Sequence, residues 1–115
     1  MSGRTRHSDT PDWRPLEQLL GSDELCSHFM WMFDVSLDDG TLLNAYKHRW
    51  TRRYLHLSQD ARTFYYVPED LYREIDPYTA ITAVFETWEC IKPTRGERRA
   101  LRAALRQAAD RPGPE

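Results

Sequence analysis

The chain has 115 residues, of which 40% are hydrophobic, 12% aromatic and 30% charged, with a net charge of −2. This length accommodates one domain, and the composition is too apolar for a chain that is disordered throughout. The near-neutral charge excludes attraction of nucleic acid over the whole surface, so any such attraction has to be local. Only Lys47 and Lys92 among the 16 basic residues are lysine. Genome base composition accounts for this arginine bias more simply than anion binding does.

Two features of the sequence predict where the protein works. The polar N-terminal segment predicts no signal peptide, and no segment is apolar for long enough to span a bilayer. Cys26 and Cys90 lie far apart and form no Cys-x-x-Cys pair. We therefore expect a cytoplasmic protein that does not associate with membranes, in which both cysteines are free, buried thiols.

The ends of the chain are expected to be disordered, and the residues between them to form one domain. Residues 1–9 have almost no apolar content and predict a disordered tail. Residues 10–110 predict a single α+β domain, and residues 111–115 a second tail. A first helix is predicted after Asp12, with Pro15 near its start and Gly21 at its end. Ser22 is placed to cap one further helical turn.

Residues 29–37 alternate between apolar and other side chains, as in a strand buried on one face. Residues 38–40 predict a three-residue hairpin loop with Gly40 at positive φ. The hairpin register then pairs Val35 with Leu43, Phe33 with Ala45 and Trp31 with Lys47. The face that the helices are expected to cover consists of Phe29, Trp31, Phe33, Val35 and Leu37.

Two more strands are predicted after this hairpin. Residues 52–57 form the third strand, residues 58–62 have the serine and aspartate chemistry of a turn, and residues 63–67 form the fourth strand. Pro68 ends that strand, and an acidic loop follows at residues 69–76.

The last third of the chain predicts two helices. Asp76 and Pro77 are typical of a helix start, although the many β-branched residues that follow leave a strand as an alternative. Thr94 and Glu97 form a capping box for a final helix that runs to about Asp110. The predicted fold is therefore α+β: a four-stranded antiparallel β-meander with one N-terminal helix and two C-terminal helices packed mainly on one face.

A basic and aromatic segment between the second and third predicted strands is the most distinctive candidate site. Cations beside aromatic rings suit phosphate contacts and base stacking. The alternative is a strand–turn–strand whose basic residues are solvated and whose aromatic residues serve the core, and this structural interpretation is the commoner one. The candidate binding residues of this segment are Tyr46, Lys47, His48, Arg49, Trp50, Arg52 and Arg53.

The final helix carries a second basic feature, a row of arginines within an arc of about 100°. Like charges four residues apart destabilise a helix, so a repeated pattern indicates an anionic partner. That partner is either an external ligand or the acidic loop at residues 69–76, and the near-neutral net charge favours the loop. The row consists of Arg95, Arg98, Arg99, Arg102 and Arg106, of which Arg98, Arg102 and Arg106 are candidate binding residues.

Candidate catalytic groups are few. Cys26 and His28 are spaced as a possible nucleophile–base or metal-binding pair that Cys90 could join, but two cysteines and one histidine lack the spacing of a zinc site. The chain has no glycine-rich phosphate loop and no nucleophile elbow. We therefore predict no catalytic residue, no metal and no cofactor.

These observations favour a non-catalytic binding or regulatory protein that acts on a protein partner through the aromatic and basic surface of its sheet. Such a partner would use an uncovered apolar patch at Met30, Met32, Tyr46 and Trp50. The first alternative is a nucleic-acid-binding domain, which requires residues 47–53 and the arginine row to form one positive face. The second alternative is an enzyme, which requires a concave pocket with converging polar groups.

Overall fold

The structure is a computed structural model that describes residues 2–6, 10–69 and 71–111. The sheet has six antiparallel strands in sequence order, so the predicted four-stranded meander is wrong, although the fold is of mixed α and β type. The strands are β1 (Gly3–Arg6), β2 (Phe29–Leu37), β3 (Leu42–His48), β4 (Tyr54–Ser58), β5 (Thr63–Val67) and β6 (Leu71–Ile75). The helices are α1 (Arg14–Leu20), α2 (Asp23–Cys26), α3 (Pro77–Val84) and α4 (Arg95–Ala109), with a short 3-10 helix at Trp88–Ile91.

The two unpredicted strands lie at the edges of the sheet. β1 lies in the segment predicted to be a disordered tail and pairs with β2, a long-range contact that its polar composition does not reveal. β6 lies in the segment predicted to be an acidic loop and pairs with β5 along its whole length. Residues 1 and 7–9 of the first predicted tail and residues 112–115 of the second lie outside the described residues.

The sheet is curled, so that its opposite edges approach each other as in a half-barrel. An isolated bridge between Ser2 and Leu71 joins the N-terminal edge to the C-terminal strand. A Cβ atom on Gly3 would lie 2.6 Å from Val35 and 2.8 Å from Tyr72. Gly3 therefore allows β1 to pass close to β2 and β6 on the inner side of the curl, which we call the concave face.

A β-bulge in β2 between Trp31 and Phe33 divides the predicted core face between the two sides of the sheet. Val35 pairs with Leu43 and Phe33 with Ala45, as predicted, but Trp31 pairs with Tyr46 instead of Lys47. The extra residue reverses the side to which later side chains point. Phe29 and Trp31 thus pack against the helices, whereas the remaining three predicted core residues, Phe33, Val35 and Leu37, belong to the concave face.

The predicted helix boundaries are confirmed where a local cap determines them. Ser22 accepts a hydrogen bond from the backbone N–H of Leu25, and Asp76 accepts one from Thr79. Both hydrogen bonds of the Thr94–Glu97 capping box are present. α3 ends at Val84, so the segment that begins at Asp76 is a helix and the strand alternative is wrong. No helix of the described residues is long and apolar enough to cross a membrane.

The protein has two apolar clusters, one on each face of the sheet. The larger cluster lies on the helix-covered side, which we call the convex face, and contains leucines of α1 together with Phe29, Tyr46 and Trp88. The smaller cluster fills part of the concave face and consists of Val35, Leu37, Leu43, Phe64 and Tyr72.

Candidate functional site

The structure separates the predicted binding segment at residues 46–53 into buried and exposed parts. Tyr46 is completely buried on the convex face, where its hydroxyl donates a hydrogen bond to the backbone carbonyl of Asp12. Lys47 points to the opposite face, with its ammonium group 5.6 Å from the ring centre of Tyr54. Residues 46–48 therefore do not form one surface.

His48 is also completely buried, among the rings of Phe29 and Phe85. Its Nδ1 atom accepts hydrogen bonds from the backbone N–H groups of Trp50 and Thr51, at 3.2 and 3.0 Å. Burial, with a smaller contribution from neighbouring His28, lowers the pKa of His48 to about 4. His48 is thus a neutral residue that shapes the β3–β4 turn and does not reach the surface.

The exposed part of the segment is the turn between β3 and β4. Arg49, Arg52 and Arg53 are exposed there, and Arg52 has a φ of +66°. Arg53 forms a 3.6 Å ion pair with Glu86, just beyond α3. Trp50 has 53% of its surface exposed, and its indole N–H donates to Nδ1 of His28 at 3.3 Å.

The arginine row of α4 also lies at the surface, and the acidic segment does not neutralise it. Arg98 pairs with Glu89 at 2.9 Å. Glu74 pairs with Arg62 at 3.3 Å, and Asp76 caps α3. Within the described part of the chain no ion pair joins residues 69–76 to α4, so the favoured internal pairing is absent there. Arg102 and Arg106 are exposed.

The Cys26 and His28 pair does not form a nucleophile and base. Burial raises the pKa of the Cys26 thiol to about 11, the opposite of what an attacking thiolate requires. His28 instead forms a partly buried pair with Glu97 through Nε2. Cys26 is half-buried, and Cys90 is exposed rather than buried as predicted. Across the described ranges no three acidic, histidine or cysteine side chains are grouped to hold a metal ion.

The sequence did not reveal a cavity of about 490 Å³ on the concave face. It occupies the part of the curl that the smaller apolar cluster leaves unfilled. Thr5 of β1, Arg53, and the end of α3 complete its lining. Its walls are formed mainly by six ring-bearing residues from β2, β4, β5 and β6: Phe33, Tyr54, His56, Tyr65, Tyr66 and Tyr72.

His56 is the central polar group of this cavity and has only 6% of its surface exposed. Its ring stacks on Tyr54, with centroids 5.7 Å apart and planes 15° apart, and meets Tyr72 edge-on at 5.3 Å. Among the residues that the structure describes, none forms a hydrogen bond with the imidazole. Burial lowers the pKa of His56 to about 4. Near neutral pH the ring therefore has one N–H donor and one nitrogen acceptor available.

The rim of the cavity is aromatic and carries balanced charge. Tyr54, Tyr65 and Tyr66 are 38%, 40% and 49% exposed, which is high for large rings on a sheet. The ion pair of Arg53 with Glu86 lies at the same rim. Such a site can enclose a flat apolar group, stack it against phenol rings and offer it one hydrogen-bonding imidazole.

A partial signal for this cavity exists in the sequence. Tyr54 and His56 are two residues apart on β4, as Phe64 and Tyr66 are on β5. Residues at this spacing lie on the same face of a strand, so the sequence predicts that the members of each pair share a face. Tyr72 belongs to the unpredicted strand β6. Only the curl of the sheet brings it to His56.

Comparison of the chain with protein-family models, curated proteins and solved structures found no match. The geometry of the cavity and of the exposed basic surface is therefore the basis from which a function is inferred.

Proposed function

We propose that the protein is a non-catalytic binding protein, and that its ligand is a small molecule with a flat, uncharged ring system held in the concave cavity. His56 is the observation that carries this proposal. A polar group that is more than nine-tenths buried normally has a hydrogen-bonding partner, because burying it alone is unfavourable. Within the described residues the His56 imidazole has none, and its nitrogens are not fully buried either, so they face the cavity, where a ligand can reach them.

The size and chemistry of the cavity support the same class of ligand. Its volume of about 490 Å³ falls in the range of small-molecule sites, roughly 300–1,000 Å³. Its rings provide flat stacking surfaces. The Arg53 and Glu86 side chains balance each other at the rim, which favours an uncharged ligand over an anion.

The cavity gives more support to binding than to catalysis. Its described lining contains no carboxylate, thiol, lysine or serine beside His56, so the commonest partners of a catalytic histidine are missing from it. A cytoplasmic setting belongs to the same proposal and is supported by the two free cysteines, since disulfides are rare in that compartment.

The protein partner favoured from the sequence has less support than a small ligand. Its proposed apolar patch included Tyr46, which is completely buried, together with Trp50, which lies beside His28 and the first turn of α4. The exposed rings that do converge are those of the cavity rim.

Equilibrium dialysis with two probes tests the proposal. 1-Naphthol has a flat ring system and a hydroxyl group for His56, whereas naphthalene has the ring system alone. We expect both probes to bind, and 1-naphthol to bind about 2–12-fold more tightly, which is the usual net contribution of one hydrogen bond. His56→Phe should make the two affinities equal without abolishing binding.

A matched pair of tyrosine variants locates the site. Tyr66 lines the cavity and is 49% exposed, while Tyr78 on α3 is 47% exposed and lies outside it. Tyr66→Ala should weaken both probes, and Tyr78→Ala should leave them unchanged. Equal losses in the two variants, or no binding of either probe to the wild type at saturation, would refute the proposal.

A further inference from the structure

We propose that the exposed face of α4 and the neighbouring Trp50 form a binding surface for single-stranded nucleic acid, separate from the concave cavity. The arginines would contact phosphates, and the indole of Trp50 would stack on an unpaired base. This surface uses part of the basic segment predicted from the sequence. It excludes the buried residues Tyr46 and His48.

The arginines occupy one side of α4 and the buried residues occupy the other. At 100° per residue, positions 95, 98, 99, 102 and 106 fall within an arc of about 100°. The buried residues of this helix, Glu97, Ala104 and Ala108, lie on the opposite side. The arginine row extends for about 16 Å along the helix axis, at 1.5 Å per residue.

Most of this positive charge is not compensated by the described part of the protein. Arg98 pairs with Glu89, but no ion pair of Arg95, Arg99, Arg102 or Arg106 occurs with another described residue. The row keeps like charges four residues apart, which destabilises an isolated helix. An external polyanion would relieve this repulsion.

Trp50 lies beside the N-terminal end of α4, on the Glu97 side of the helix, and the arginine row begins at the same end with Arg95. It lines a shallow pocket together with Lys92, Pro93 and Glu97, which are at or next to the first turn of α4. Its N–H is held by His28, while 53% of its surface is exposed. Of the remaining tryptophans, Trp13 and Trp31 are half-buried and Trp88 is 4% exposed. Trp50 is therefore the indole most accessible to a ligand.

The combination of residues favours single-stranded nucleic acid over an acidic protein segment. Arginine binds phosphate through two parallel hydrogen bonds, and an exposed ring stacks on any base. An acidic peptide would use the arginines but would gain nothing specific from Trp50. Because the net charge of the chain is −2, binding should be local and strongly weakened by salt.

The test is a titration of the full chain with 12-residue oligothymidine and oligouridine, followed by tryptophan fluorescence between 50 and 200 mM salt. Arg99→Ala combined with Arg102→Ala should reduce the slope of log affinity against log salt by about 1.4, at about 0.7 for each phosphate of a single strand. The control combines Arg4→Ala with Arg73→Ala, which removes the same charge from exposed strand positions. It should leave the slope unchanged.

Two further variants separate stacking from charge and this surface from the cavity. Trp50→Ala should weaken binding by about 5–150-fold and remove most of the fluorescence change, with little effect on the slope. His56→Phe should not affect oligonucleotide binding. Binding of either oligonucleotide with these responses supports the proposal.

Three results would overturn it. They are no binding at 50 mM salt, the same slope change in the Arg4 and Arg73 control, or an affinity that Trp50→Ala leaves intact. If Trp50→Ala leaves the affinity intact and polyglutamate binds as tightly as the oligonucleotides, the preferred ligand is an acidic protein segment and the proposal is wrong.

Discussion

On the convex face of the sheet, the buried rings of Tyr46 and His48 are each held by hydrogen bonds to the backbone, although Nε2 of His48 is buried without a hydrogen-bonding partner among the described residues. The Tyr46 hydroxyl bonds to Asp12, and Nδ1 of His48 accepts two backbone N–H groups. On the concave face, His56 is almost as deeply buried but has no such partner among the described residues, and three tyrosines around it are more than one-third exposed. Two neutral histidines with similarly lowered pKa values thus have different environments. The comparison teaches that burial alone does not distinguish a structural histidine from a binding one.

The largest expected difference between the faces is in stability. Phe29 and Phe33 lie on the same strand, but Phe29 is 3% exposed against the helices, whereas Phe33 borders the cavity. We expect Phe29→Ala to lower the free energy of unfolding by about 3–5 kcal/mol, as for a large-to-small core substitution. Phe33→Ala should cost about 1–2 kcal/mol, because one side of its ring already lacks packing partners. Denaturant unfolding of both variants measures this, and equal losses would contradict the division of the two faces.

Acid should destabilise the protein through both histidines. Burial lowers the pKa of His48 and of His56 from 6.5 to about 4, so between these values the unfolded chain binds protons that the folded chain does not. The free energy of unfolding is therefore highest above about pH 6.5. It decreases as the pH falls towards 4, by on the order of 3 kcal/mol for each histidine.

Urea unfolding at pH 7, 5.5 and 4.5 checks this expectation. Because the pKa of Glu97 is lowered from its ordinary value of 4.5, its protonation changes the stability of the protein only below about that pH. The pH interval in which the two histidines act therefore lies above the interval in which Glu97 acts. His56→Phe should remove about half of the pH dependence between 7 and 4.5. A stability that is constant over that interval would show that the two rings are not buried as neutral groups.

The smallest difference concerns two phenol hydroxyls. Tyr46→Phe removes the hydrogen bond to Asp12 on the convex face and should cost about 1 kcal/mol. Tyr54→Phe on the concave rim removes a hydroxyl that makes no hydrogen bond with other described residues, and it should change stability by less than about 0.5 kcal/mol. Thermal unfolding of the two variants measures both changes in stability. A larger loss of stability for Tyr54→Phe than for Tyr46→Phe would contradict this expectation.

The elements that the sequence predicts well are those determined within three or four residues. The caps at Ser22, Asp76 and Thr94 each bond to a backbone N–H three residues later, so composition and spacing were sufficient. The hairpin register from Val35 to Leu43 also follows from a short loop.

The features that were missed depend on long-range contacts. A bulge beside Met32 leaves the apolar alternation of β2 looking continuous, although Phe33 has moved to the other face. β1 and β6 are short edge strands whose pairing, and not their composition, defines them. The cavity could not be predicted because it requires β6 and the curl that brings Tyr72 to His56.

The most direct test follows the ring signals of both histidines by proton–carbon NMR while 1-naphthol is added to the full chain near pH 7. The two imidazoles are neutral at that pH and lie on opposite faces of one sheet, so each is a control for the other. The account predicts that the His56 signals shift in a saturable manner, with the same dissociation constant as dialysis gives, while the His48 signals do not move. A shift of His48 equal to that of His56, or no shift of His56 at saturation, would contradict the assignment of the concave cavity as the binding site.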